Sequence, residues 1–369
     1  MGRHDYRVAI IGAGPIGCAT AAFLSEQGVA VAMWSPTGHR LAFQRDRRTA
    51  SFETAGCLHA SVSVAWLTDM QDIADYSHVF ICLPGSIYEP VLTQLSDHWR
   101  SGQTVVVSGA LSLVPLWLRN EARSRGADIT VAGWGTTLTT AHFLADGRLH
   151  MNSMRHRIDM AWLAGARSMP GLRDVLSDCN LLFGERFVRV ESLLASALAN
   201  INPIAHAAEV MPNLTRMERG ERWQLFDHFT GAVARMADAL DRERLALAEC
   251  LGFALPTLVE HYHRSYHVPV GPLNEMARAI ESAGKGPLGP DRLDHRYVLE
   301  DVPFGLVMHE RLAQAMHVDC ATLSSCITLF EAIYQRPFRD QNFLMASLLP
   351  DESALPALLA SCKSDSAAA

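Results

Sequence analysis

Short apolar runs recur along the first half of the chain: RVAIIG from Arg7, VAVAMW from Val29, HVFICLP from His78, QTVVVSG from Gln103 and DITVAGW from Asp128. A strand covered on both faces needs apolar side chains at successive positions, and such strands alternating with amphipathic segments build right-handed crossover units. From Tyr6 to about Val190 the pattern therefore predicts an α/β unit, a Rossmann-type doubly wound parallel sheet. After about Glu191 the texture changes. The stretches SLLASALANINPIAHAAEV and HFTGAVARMADALDRERLALAECLG keep apolar residues three and four apart, as the buried face of a helix requires. The expected organisation is a sheet domain over 1–190, an all-helical domain over 191–360, and a short polar, alanine-rich tail over 361–369 with nothing to bury, read as disordered. Within the helical part, AGKGPLGP (Ala283 to Pro290) cannot continue a helix and marks a turn or loop.

Composition narrows the class. A chain of 369 residues with 49% hydrophobic and 19% charged residues can fill two cores and does not read as disordered. Its net charge of -7 supplies no basic footprint for a polyanion, so no nucleic-acid partner is expected. No apolar run approaches the roughly 20 residues that a membrane helix needs, and no charged leader with an apolar stretch precedes the first strand. The expectation is a cytoplasmic protein with no membrane partner. Eight cysteines (Cys18, Cys57, Cys82, Cys179, Cys250, Cys320, Cys326, Cys362) form no C-x-x-C pair, so most are expected to be reduced, buried thiols, and no metal site is expected.

The first chemical signal is Gly12, Gly14 and Gly17, in G-x-G-x-x-G spacing between an apolar strand and an amphipathic helix. The first glycine permits the tight turn, the second lets backbone approach a pyrophosphate, and the third lets helix pack on strand. A dinucleotide is thus expected against Gly12, Ala13, Gly14, Pro15, Ile16 and Gly17, with Pro84 counted on the same edge; an ordinary glycine turn is the competing reading. The second strand ends at Trp34-Ser35, with no Asp or Glu to receive ribose hydroxyls. The turn instead offers Ser35, Thr37 and Arg40, groups able to hold a 2'-phosphate. This points to NADP(H) as the preferred cofactor, with NAD(H) as the alternative. The plain alternative for Arg40 is a solvated residue on the next helix.

Hydride transfer to a carbonyl or imine needs a nearby proton donor and something to hold substrate carboxylates. Two helical-domain segments offer such groups: NINPIAH, with Asn200, Asn202, Pro203 and His206, and HRYVLEDVPFGLV, with His295, Arg296, Tyr297, Glu300, Asp301 and Pro303. Taken alone, a histidine on an apolar helix is more often a hydrogen-bonded core residue. Together with the glycine motif, Trp34-x-Pro36, ALDRERLALAECLG and H-R-Y-x-x-E-D-V ending at Val302, these strings resemble the octopine and nopaline dehydrogenases, most closely in motif the bacterial octopine synthases. The resemblance covers most of the chain. It implies an NAD(P)H-dependent opine dehydrogenase that joins the amine of an amino acid to a 2-keto acid, pyruvate or 2-oxoglutarate, reversibly and through an imine. It further implies that His206 is the catalytic histidine, Asp301 the carboxylate paired with it, and Arg296 the arginine that binds substrate carboxylate. Dimers occur among similar proteins, so a homodimer is an open expectation.

Asn202 is placed beside the substrate with Arg296. Thr136 and Thr137, in GWGTTLTT at the carboxyl edge of the predicted sheet, are placed against the keto acid. Asp241, Arg242, Glu243 and Arg244 read as structural ion pairs. EHYHRSYH, with His261, His263 and His267, departs from the family and matches no common metal template, so it reads as a pocket wall or surface. Ketopantoate reductases and hydroxyacid dehydrogenases of similar layout rely on a helix-borne lysine, and the two lysines here, Lys285 and Lys363, lie in the glycine/proline loop and the tail. A keto acid reductase and a non-catalytic NADP(H) sensor are the alternatives.

Overall fold

In a computed structural model that describes residues 2–36, 48–165 and 174–364, the apolar runs become the strands of one sheet. β1 (Arg7–Ile11), α1 (Pro15–Glu26), β2 (Ala30–Trp34), β3 (Thr49–Gly56) and β4 (Ser61–Trp66) come first. There follow β5 (His78–Ile81), α2 (Tyr88–Leu95), β6 (Thr104–Val107), α3 (Val114–Ser124) and β7 (Thr130–Trp134). The series closes with β8 (Ala141–Phe143), β9 (Leu149–Met151), β10 (Ile158–Leu163), α4 (Val175–Phe183) and β11 (Phe187–Arg189).

The spatial order β4-β2-β1-β5-β6-β7 is parallel throughout, with the direction of winding reversing at β1. Every residue of β5 is buried, and so is β1 beyond Arg7, which is why these strands read as unbroken apolar runs. The parallel core carries additions that the runs do not announce. β3 pairs antiparallel with β4, β9 and β8 extend that edge, and β10 lies antiparallel on β7 with β11 beyond it.

The chain divides into two compact units, the described residues of Met1–Ala197 with those of Leu359–Ala369, and Leu198–Leu358. The boundary thus falls a little after residue 190. The expected tail also differs in part: residues 361–364 are not loose. Cys362 is fully buried, its carbonyl accepts from the Leu193 amide at 2.9 Å, Ser364 N donates to Glu191 O at 2.9 Å, and Lys363 bridges to Ser192. A segment with two backbone hydrogen bonds and a buried thiol has the partners that a polar composition did not suggest.

The second unit is helical. α5 (Leu193–Ala199) leads into it, followed by α6 (Asn202–Val210), α7 (Leu214–Glu218), α8 (Gly231–Cys250), α9 (Leu258–Tyr266) and α10 (Leu273–Ser282). After a loop come α11 (Arg296–Leu299), a π-helical turn (Val302–Leu306), α12 (Val307–Ala315) and α13 (Ala321–Tyr334). α14 (Phe338–Gln341), α15 (Phe343–Leu348) and α16 (Leu355–Ser361) complete it. The run SLLASALANINPIAHAAEV is therefore two helices. The break falls at Asn200-Ile201, where Asn200 Oδ1 accepts from the Asn202 amide at 3.1 Å and Pro203 occupies the first turn of α6, the one place where its missing N–H costs nothing.

The acid–base run of α8 is structural. Arg244, fully buried, donates to Asp241 Oδ1 at 2.8 Å and to the carbonyls of Leu198 and Pro256, while Asp241 also accepts from the Leu258 amide. Glu243 accepts from the amides of Thr322 and Leu323 at the start of α13. Among the described residues no helix is long and apolar enough to cross a membrane.

Candidate active site

The glycine loop joins β1 to α1, and its three glycines do different work. Gly12 has φ of +114°, and a Cβ there would lie 2.4 Å from Cys82 O; one at Gly17 would lie 1.9 Å from Gly12 O. Those two positions are closed to any side chain by neighbouring backbone. Gly14 is the opposite, since a Cβ there would meet nothing within 4 Å. It precedes Pro15 at the start of α1, and among the described residues no side chain caps that helix. Open space before an uncapped twelve-residue helix N-terminus fits the pyrophosphate of a dinucleotide. Ala13 is buried, Ile16 half-buried, and Ser35 half-buried just past β2, while Pro84 lies exposed just past β5, so the described candidate cofactor residues gather at the carboxyl ends of the adjacent strands β2, β1 and β5. Thr37 and Arg40 lie outside the described residues. Thr136 and Thr137 follow β7, and the Thr137 hydroxyl donates to Thr139 O at 2.8 Å.

The helical unit brings together residues far apart in the sequence. His206, on α6, and Asp301, just before the π-helical turn, meet with Nδ1 and Oδ2 2.7 Å apart. The Asp301 side chain is 2% exposed and that of His206 13%, so the carboxylate is shielded while the imidazole keeps an outlet. The approach depends on two small features. Gly305 faces Pro203 so closely that a Cβ would lie 2.3 Å from the proline Cγ, and Asn342 Nδ2 donates to Pro303 O at 2.8 Å, fixing the turn from behind. A π-helical turn widens the helix by one residue per turn and recurs at functional sites. Here Asp301 immediately precedes it.

Tyr297 completes the frame. Its ring stacks on the imidazole of His206 at 3.5 Å between centroids and 10° between planes, and His295 meets Tyr297 edge-on at 4.5 Å. Arg296, one residue away, is 55% exposed and has Glu300 as an ion-pair partner at 4.0 Å. Asn202 opens α6, half-buried. The loop Ala283–Pro290 that leads to this segment is held in place: Trp223 Nε1 donates to Pro290 O, the Gly289 amide to Trp223 O, and the Leu225 amide to Pro287 O.

Burial sets the electrostatics. His295 is pushed down to about 4 by burial and by its neighbours His206 and Arg296. Glu209, one turn beyond His206 on α6, is pushed up to about 7 by burial, against the pull of His206 and of a hydrogen bond from Tyr262. Burial also raises the phenol of Tyr297 above its usual range. With Nδ1 of His206 held by a carboxylate, Nε2 is the nitrogen left to take and give a proton.

Sequence reasoning did not assign Tyr297, Glu209 or Tyr262. Tyr297 lies inside the H-R-Y string, and Glu209 is a lone acid in the apolar PIAHAAEV run, so both left a trace. EHYHRSYH is divided among separate partners: His263 pairs with Val268 O at 2.7 Å and His261 with Ser265 nearby, while Tyr262 reaches Glu209 on α6. Among the described residues no group of three or more His, Cys, Asp or Glu could hold a metal ion, and Cys18, Cys82, Cys179, Cys320, Cys326 and Cys362 are buried free thiols. Of the lysines, Lys285 lies in the loop after α10, with Nζ donating to Tyr266 O, and Lys363 in the returning carboxy-terminal segment.

Comparison with known proteins covers both units. Residues 189–334 match the family model described as NAD/NADP octopine/nopaline dehydrogenase, alpha-helical domain, and residues 8–108 match that of ketopantoate reductase PanE/ApbA. An opine dehydrogenase of Arthrobacter sp. (strain 1C) is 25% identical over 343 residues, which is 92% of this chain and 94% of that protein. Among solved structures, an octopine dehydrogenase in complex with NADH and agmatine shares the fold with a TM-score of 0.75 and 15% identity over 90% of each chain. A yersinopine dehydrogenase with NADP+ bound shares it with a TM-score of 0.67 and 16% identity over 96% of this chain and 97% of that one. The chain is thus similar over most of its length to opine dehydrogenases, which are oxidoreductases, and its residues 189–334 match the octopine/nopaline dehydrogenase α-helical domain.

Proposed function

We propose that this protein reductively joins the amine of an amino acid to a 2-keto acid of the pyruvate or 2-oxoglutarate type, and runs the reverse reaction on the product. The observation that carries the reading is the His206–Asp301 pair, a shielded carboxylate orienting a partly open imidazole across 95 positions of sequence. His206 Nε2 takes a proton from the substrate ammonium and so frees a nucleophilic amine. Asp301 stabilises the imidazolium that results, and the same proton returns to the carbinolamine hydroxyl as it leaves as water. Loss of that water leaves the iminium, and the reduced nicotinamide, when bound, would supply the hydride that converts it to a secondary amine.

Arg296, more than half exposed, holds a substrate carboxylate through its planar fork, with Asn202 beside it. Thr136 and Thr137 serve the keto acid. Gly14 and the start of α1 receive the pyrophosphate, and Ser35, Thr37 and Arg40 receive the adenosine 2'-phosphate, which makes NADP(H) the preferred cofactor. The reading is of a cytoplasmic enzyme of small molecules. A keto acid reductase of related layout would rely on a lysine carried by a helix, and neither Lys285 nor Lys363 lies on one. The test is NADPH oxidation with a keto acid, an amino acid panel, or both, with product mass determined. Oxidation that requires both substrates and yields the condensed mass supports the reading; oxidation with keto acid alone, or tight cofactor binding without turnover, rejects it.

A further inference from the structure

One hydrogen bond does not fix an imidazole. The χ2 torsion of histidine is broad, so a ring anchored at a single nitrogen can still rock about that anchor. Asp301 anchors His206 through Nδ1, 2.7 Å from Oδ2, and the proton or lone pair of that nitrogen lies in the plane of the ring. Tyr297 acts across the plane. Its ring lies on the imidazole with 3.5 Å between centroids and 10° between planes, so His206 cannot tilt toward that side without collision. Tyr297 is held in turn by its own surroundings. It belongs to α11, which packs against α6, and the next residue, Val298, is fully buried. The Tyr297 amide donates to His295 Nδ1 at 3.4 Å, and the His295 ring meets the Tyr297 ring edge-on at 4.5 Å and 86°. Three rings thus stand in series, and the last of them carries the nitrogen that would handle protons. A reacting group must be held within about 10–20° of its working direction, and side chains locked by packing supply that hold.

We propose that Tyr297 is a positioning residue of the acid–base pair, its ring face holding the His206 imidazole in the plane from which Nε2 meets the substrate amine. Asp301 and Tyr297 then divide the task, one fixing where the ring is tethered and the other fixing how it is tilted. The contact is made by the face of the ring, so an aromatic side chain without the hydroxyl can replace Tyr297 and an aliphatic one of similar bulk cannot. The catalytic consequence rests on the opine dehydrogenase reading; the hold on the ring does not.

The experiment compares the full chain with Tyr297→Leu and Tyr297→Phe. Under saturating paired substrates, Tyr297→Leu should lower kcat by about ten- to a hundredfold with KM within about threefold, because the proton-handling group is misdirected while binding persists. Tyr297→Phe should recover kcat to within about fivefold of the wild type. Equal losses in the two variants would overturn the proposal by assigning the effect to the hydroxyl, and so would a rise in KM at unchanged kcat, which would place it on the neighbouring Arg296. The second readout needs no turnover: NMR of the histidine-labelled chain without substrate, with the His206 signals assigned by their loss in His206→Ala. Protons over the face of an aromatic ring are shielded, so the His206 ring protons should lie upfield in wild type and Tyr297→Phe and move downfield in Tyr297→Leu. Should Tyr297→Leu fail to fold, the wild type decides, since the absence of nuclear Overhauser contacts between the His206 and Tyr297 rings would overturn the proposal. Held, shielded His206 protons in a protein inactive with every substrate pair would reject the opine reading and leave the positioning of the ring standing.

Discussion

The two units use opposite means to build a site. In the sheet unit the candidate cofactor loop is made of absences: glycines at positions 12 and 17 where backbone leaves no room for a Cβ, and at position 14 where a Cβ would meet none of the described residues within 4 Å. It spans six consecutive residues, from the end of one strand into the first turn of one helix. In the helical unit the candidate chemistry is made of side chains, His206, Asp301, Tyr297 and Glu209, and no short stretch of sequence holds them all. Their geometry depends on a proline of α6 lying against a glycine of the π-helical turn. A loop shaped by local sterics can be read from a few letters. A cluster shaped by packing exists only when the unit is folded.

The sharpest way to break this contrast is to remove a side chain from the second site and ask whether the first notices. His206→Ala should lower turnover by about 10²- to 10⁴-fold, the range for losing a positioned acid–base group. Cofactor affinity, measured by quenching or calorimetry, should stay within about twofold, because the glycine loop belongs to the other unit. Near-normal turnover would remove His206 from the chemistry.

A subtler cut leaves every reacting group in place. Gly305→Ala puts a methyl group 2.3 Å from Pro203 Cγ, so α6 or the π-helical turn must move. A displacement on the order of 1 Å costs up to ~10²-fold in rate. The expected result is a fall in kcat of about ten- to a hundredfold with cofactor affinity unchanged. An unchanged kcat would mean that the proline–glycine contact does not set the His206–Asp301 geometry.

The complementary test acts on the sheet unit. Arg40→Ala should weaken NADPH by about tenfold and NADH by less than twofold, the loss expected for one charge-assisted contact to a phosphate. Equal losses for both would remove the 2'-phosphate role of Arg40.

The smallest expected effect concerns stability. His309, buried in α12 with both ring nitrogens unpartnered among the described residues, is pushed down to about 3 by burial and by Arg244, against a usual value near 6.5. A depressed histidine stabilises the fold at pH above 6.5, where the unfolded chain is neutral too, and that contribution is lost as pH falls from 6.5 toward 3. Glu209 acts in the other direction: its value is raised from 4.5 to about 7, so its contribution is present below 4.5 and lost as pH rises through 7. His309→Leu should narrow the drop in Tm between pH 7 and pH 5 by about 2 °C. Parallel Tm curves for variant and wild type would show that this imidazole does not shape the acid limb.

What could be read in the sequence follows the same division. β1, β2, β5, β6 and β7 stood out as apolar runs because both their faces are buried. β3 and β4 did not, since SFETAG and SVSVAW alternate buried and exposed residues, the signature of a strand covered on one face. β8, β9 and β11, with three residues each, are too short to carry any period. The pairing of His206 with Asp301 came from resemblance to a family, because periodicity cannot join residues 95 positions apart. The π-helical turn was not legible, since the contacts made along it, Gly305 against Pro203 and Asn342 to Pro303 O, join residues far apart in the sequence. Glu209 was visible as an acid in an apolar run, but its burial was not.

The hydrogen bonds of Cys362 and Ser364 to residues 191–193 make the sheet unit discontinuous, with all of Leu198–Leu358 emerging from the ribosome before its closing segment exists. At bacterial or eukaryotic elongation rates that gap lasts roughly ten to thirty seconds. During synthesis the nascent amino-terminal half must wait with an unfilled seam, and the helical unit has time to fold before the half that precedes it is finished.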